Sequence, residues 1–111
     1  MKENKIWLDH MRESVGVVED GIRGISFGDF AKNVHLQDSV VRRIEIIGEA
    51  ASNIPEDFRA KHPQIKWSKI IGMRNILAHE YFGVDLKIVW LTATERLPEL
   101  KKELTKLNVA Q

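Results

Sequence analysis

The chain contains no cysteine, which excludes a disulfide framework and fits a reducing compartment. It also lacks a long apolar run. The longest, Ile88-Val89-Trp90-Leu91, is far short of the ~20 residues that a membrane span needs. The first residues, Met1-Lys2-Glu3-Asn4-Lys5, are charged and lead into no apolar stretch, so no signal peptide is expected. An excess of charge is missing too: 17 Lys and Arg stand against 16 Asp and Glu, a formal net charge of +1. Proteins that grip nucleic acid along an extended phosphate track are usually far more basic. Any such contact here must be local, or assembled from several chains. No repeat or low-complexity tract interrupts the sequence. The implication is one cytoplasmic domain over residues 1–111, able to bury roughly two thirds of the surface of its unfolded chain.

What is present is helical periodicity, with no alternating strand pattern to compete. Leu8, Met11, Val15, Val18, Ile22 and Ile25 recur at steps of three and four, which makes one apolar stripe. Gly21 and Gly24 lie near its end, and Ser26-Phe27-Gly28-Asp29 reads as a turn. A second helix is expected from near Asp29, strengthening at Leu36 and carrying Val40, Ile44, Ile47 and Ala51 on one face. Gly48 within it costs about 1 kcal/mol against alanine, and a close helix crossing would explain its presence. Pro55 suits the start of a short turn through Lys61, and His62-Pro63 breaks the chain again.

A third helix is expected from Trp67 to His79 or Tyr81, with Trp67, Ile70, Met73 and Leu77 inward. Gly83 reads as its stop and Asp85 as the N-cap of a last helix through Trp90, Ala93, Leu97, Leu100, Leu104 and Leu107. Pro98 leaves the Thr94 carbonyl without its helical donor, so a kink is expected there. Long helices with short connections predict an all-α, antiparallel bundle of four or five helices.

Candidate chemistry is concentrated in Arg74-Asn75-Ile76-Leu77-Ala78-His79-Glu80-Tyr81. Arginine offers a planar, permanently charged fork that matches phosphate oxygens. Histidine titrates near neutral pH and can take a ribose 2′-hydroxyl proton or protonate a leaving oxygen. At ~100° per residue, Arg74 and Tyr81 share a face, with Ala78 between them for clearance. His79 lies about 140° round the axis from Arg74 and stacks over Asn75. Convergence on one phosphate therefore needs a helix that ends or distorts near His79, or a second copy of the chain. Asp38 and Glu49, three turns apart on the second helix, can share a face and could hold Arg74 in aim. His10, His35 and His62 are scattered, and no cluster has metal-ligand spacing, so neither metal nor cofactor is expected.

Plainer roles stand beside each of these. Arg74, His79 and Tyr81 can cap helix carbonyls and pack a phenol. Asp38 and Glu49 can be solvated surface charges. Trp7, Trp67 and Trp90 can stack bases, although tryptophans at such positions are more often core. Tyr81 can be buried beneath Trp90.

The R-x4-H-x-Y pattern of Arg74, His79 and Tyr81 resembles the signature of HepT-type toxins, members of the HEPN superfamily. Further stretches look like that family: Asp38 to Ala50 with its Gly48-Glu49-Ala50 ending, Trp67 to Met73, and Tyr81-Phe82-Gly83-Val84-Asp85 followed by Val89-Trp90. The likeness runs from about Lys5 to Leu107. It implies a HEPN bundle working as a homodimer, with the two Arg74/His79 motifs facing each other across a cleft. It implies a metal-independent endoribonuclease, with tRNA among its targets, acting as the toxin of a type VII toxin–antitoxin system. It further implies a minimal nucleotidyltransferase (MNT) antitoxin that transfers AMP to Tyr81. A non-catalytic, nucleotide-binding subunit beside a nucleotidyltransferase is the alternative that the same family contains.

Overall fold

In this computed structural model the structure describes residues 2–79 and 85–110, with side chains over 4–74 and 85–107. All of the described secondary structure is helical. Helix α1 spans Lys2–Ile22, α2 Phe27–Lys32, α3 Val34–Asn53, α4 Glu56–Lys61 and α5 Trp67–His79. Helix α6, Leu86–Leu91, runs through a π-helical segment, Thr92–Arg96, into α7, Leu97–Ala110. Four rods (α1, α3, α5 and the joined α6–α7) make the bundle, and α2 and α4 are short helices in its connections.

The stripe of α1 is buried as its spacing predicts, with Leu8, Met11, Val15 and Val18 in the core. They meet Val40, Ile44, Ile47 and Ala51 of α3 and Ala93, Leu97, Leu104 and Leu107 of the last rod. Side-chain contacts set the directions of the rods. Leu36 lies beside Gly21, whereas Arg43 donates to Ser14 Oγ and pairs with Glu13. Partner numbers fall along α1 as they rise along α3, so the two are antiparallel. The same inversion relates α1 to α7, where Lys101 pairs with Glu19 and Arg12 donates to the Leu104 carbonyl at 3.1 Å.

The segment Ser26 to Asp29 is not the turn expected of it. Ser26 accepts from the Asp29 amide and Asp29 accepts from the Ser26 amide, a reciprocal capping box that starts α2. Phe30 is thereby buried, packed against the half-buried Trp90 at 5.2 Å between rings. The left-handed turn is taken two residues before Ser26, by Gly24 at φ +75°. Helix α3 then begins at Val34 rather than near Asp29, because Asn33 is extended and caps the Leu36 amide.

Other expectations match more closely. Asp85 caps α6 through the Lys87 amide at 2.8 Å, while Gly83 lies outside the described residues. The irregularity expected at Pro98 is the wide π turn just before it, where the Leu97 amide reaches back to the Thr92 carbonyl. Thr92 and Thr94 hydroxyls donate to the carbonyls of Ile88 and Trp90, both at 2.8 Å. Among the described residues no helix is long and apolar enough to cross a membrane.

Candidate functional site

Helix α5 is seated on α3 at Gly48. A Cβ built there would lie 2.5 Å from the Arg74 Cβ and 3.2 Å from the Ile70 carbonyl oxygen. The glycine is therefore the crossing point that the sequence suggested. It fixes the root of the Arg74 side chain against α3, one residue from Glu49. Arg74 Nη1 donates to Glu49 Oε1 at 2.6 Å, a charge-assisted hydrogen bond. Glu49 is itself steadied by Asn53, whose amide donates to the Glu49 carbonyl at 2.8 Å and reaches its Oε2 at 3.4 Å. Exposure of Glu49 and partial exposure of Arg74 keep the pair modest energetically, at about 1 kcal/mol or less. It orients more than it stabilises.

Asp38 does not join this arrangement. It is exposed and has no hydrogen bond or ion pair among the described residues. Eleven residues of helix separate it from Glu49 by about 16 Å, so sharing a face does not bring both carboxylates to one arginine.

Arg74 and Glu49 open onto a cleft of about 450 Å³. Trp7 and His10 of α1 and Arg42, Glu45, Ile46 and Ala50 of α3 complete its lining. The Trp7 and His10 rings meet edge to face at 5.7 Å and 85°. Sequence reasoning did not connect Trp7, His10 or Arg42 with Arg74. Residues 42, 45, 49 and 7, 10 do repeat at helical steps, but only the antiparallel register of α1 on α3 puts the two sets side by side.

Of the tryptophans, Trp67 is core, while Trp7 and Trp90 are half-buried. The α5 backbone is continuously α-helical through His79, so no distortion before His79 brings it round toward Arg74. The side chains of Asn75, Leu77 and His79, and all of Tyr81, lie outside the described residues. Among the described residues no three His, Asp or Glu side chains gather as a metal-binding group.

Comparison with known proteins adds a name to this geometry. A family model described as Ribonuclease HepT-like matches residues 11–107. The "Probable ribonuclease HepT" of Thermococcus cleftensis is 42% identical over 107 residues, covering 96% of this chain and 97% of its own. A protein of Caldanaerobacter subterraneus named "Putative RNase TTE0752" is also 42% identical over 107 residues, 96% of each chain. No solved structure matches the chain.

Proposed function

The chain belongs to the HepT-like ribonuclease family, and from that premise we propose that it is a metal-independent endoribonuclease whose Arg74 clamps phosphate and whose His79 transfers protons. The protein is a ribonuclease by family; the finer assignment rests on one observation. Arg74 is pinned at its root by Gly48 and aimed by Glu49 at the edge of a cleft, on the helix that carries His79. An arginine so oriented holds a phosphodiester with little reorganisation. His79 removes the proton of the ribose 2′-hydroxyl, and the 2′-oxygen attacks the adjacent phosphorus. The bond to the 5′-oxygen breaks as the protonated His79 returns its proton to that oxygen, leaving a 2′,3′-cyclic phosphate on one fragment and a 5′-hydroxyl on the other. Asn75 orients the substrate one turn before His79.

A helix that stays regular to His79 sets its Cα about 140° from that of Arg74. This favours a two-fold dimer in which one copy's Arg74 and the other's His79 serve one phosphate. Two copies also double the local positive charge that a near-neutral chain lacks. In the same reading the enzyme is a cytoplasmic toxin, tRNA is within its substrate range, and an MNT-type nucleotidyltransferase silences it by adding AMP to Tyr81. The near-neutral charge favours one second reading, a non-catalytic nucleotide-binding partner of such a nucleotidyltransferase. Incubation of the pure protein with total RNA and EDTA separates the two. Cleavage with cyclic-phosphate ends, lost in His79→Ala, is the expected result, and intact RNA with wild-type protein would overturn it.

A further inference from the structure

Beyond Arg74 and Glu49, the cleft is furnished with groups that the cleavage chemistry does not use. Trp7 is half-buried: its indole rests partly on the core and partly faces the cleft. His10 stands edge-on against it at 5.7 Å, which holds the indole plane at a set angle. Arg42 of α3 is exposed in the lining and has no hydrogen bond or ion pair among the described residues. Glu45 and Glu49, on the same helix, add carboxylate oxygens to the lining. A cleft of about 450 Å³ falls within the roughly 300–1,000 Å³ of small-ligand sites. An aromatic face, a cation without a carboxylate partner and a phosphate-clamping arginine in one cleft match the parts of a nucleotide. Base–aromatic stacking serves single-stranded nucleic acid whatever its sequence, and arginine matches the phosphate that follows.

Resting on the ribonuclease reading, we infer that this cleft is a nucleotide subsite on each chain: the base flanking the cleaved linkage stacks on Trp7, with His10 bracing the ring, and Arg42 takes the next phosphate along the strand. The substrate is then single-stranded at that position, because a paired and stacked base cannot reach the indole. The residues that stack the base and take the next phosphate lie within one chain, on α1 and α3. The subsite also explains how a chain of net charge +1 holds RNA. Part of the affinity comes from stacking, which needs no net charge.

The test uses the full-length protein and a short single-stranded RNA whose 2′-hydroxyls are all methylated, so that it binds without being cut. Trp7→Leu keeps apolar volume against the core, and is expected to weaken binding about ten-fold or more while its melting temperature stays near that of wild type. Arg42→Gln, on an exposed residue, is expected to weaken binding and to flatten the slope of log K against log salt by roughly 0.7, the loss of one phosphate contact on a single strand. A duplex of the same sequence should gain nothing from Trp7. If Arg42→Gln changes the slope while Trp7→Leu binds like wild type, the cleft holds backbone only and the stacking assignment is overturned. If neither variant differs while wild type still cuts unmodified RNA, the subsite is wrong and the catalytic reading stands. If wild type neither binds nor cuts RNA, both fall together.

Discussion

Replacing Gly48 by alanine tests whether the α3–α5 crossing governs the site. Two effects oppose each other. Alanine is favoured over glycine in a helix interior by about 1 kcal/mol. Against this, the new methyl would sit 2.5 Å from the Arg74 Cβ and 3.2 Å from the Ile70 carbonyl oxygen. Carbon atoms rest at about 3.5–4.0 Å, so α5 must move by roughly 1 Å. Neither neighbour is the free end of a flexible side chain. The cost of overpacking then falls toward the upper part of the usual ~1–3 kcal/mol, and crowding wins. The expected net loss is about 1–2 kcal/mol, read as a fall in melting temperature of about 5–10 °C. Because the displaced atom is the Cβ of Arg74, the Glu49 contact shifts as well. RNA cleavage should drop about a hundred-fold, as misplacements of ~1 Å do. Gly16→Ala is the control: nothing lies within 4 Å of a Cβ there, so it should gain up to about 1 kcal/mol and cleave normally. Melting by circular dichroism and cleavage of a labelled RNA check both variants. A Gly48→Ala protein that melts at or above wild type and cleaves at its rate would refute the argument.

Further outcomes follow from the same contacts. Arg74→Lys should lose at least about a hundred-fold in cleavage rate with the fold intact, since an ammonium cannot reproduce the fork; wild-type rates would remove the phosphate-clamp role. Glu49→Gln should change stability by no more than about 1 kcal/mol in urea unfolding, yet slow cleavage roughly ten-fold by releasing the aim of Arg74. Ser26→Ala removes half of the capping box that starts α2 and should cost about 1 kcal/mol with cleavage unchanged. Tyr81→Phe should retain cleavage but escape silencing by the partner nucleotidyltransferase, with intact mass showing added AMP on wild type alone; equal mass gain on both proteins would exclude Tyr81 as the acceptor.

Helix-length regularities made most of the fold legible. The 3–4 rhythm of α1 and of the last rod needs only one face per helix to be apolar, and those faces are buried. Helix α2 escaped because six residues are too few to show a rhythm, and Gly28-Asp29 has turn chemistry. Its signal was present nevertheless: Ser26 and Asp29 stand three apart, the spacing of a capping box. Glu49 was readable as a possible partner of Arg74, and Gly48 as a close crossing, but which helix crosses there was not legible because a missing side chain names no partner. Asp38 misled because angular position on a helix says nothing about distance along it. Trp7, His10 and Arg42 were out of reach for a different reason. Their meeting depends on the register of α1 against α3, which is set by the whole core rather than by any local pattern.

The carboxylate of Glu49 does more than aim Arg74, once its tether is considered. A group fixed one residue from the crossing point competes for the guanidinium as an intramolecular partner, at an effective concentration set by its tether. Chloride, free phosphate or a lone mononucleotide must displace it one at a time. A polynucleotide arrives with its own tether, so once one of its phosphates is seated the next competes on equal terms. With Arg74 in the proposed phosphate-clamp role, the ion pair at 2.6 Å, worth about 1 kcal/mol or less, is a small penalty on any single anion that linked phosphates offset together.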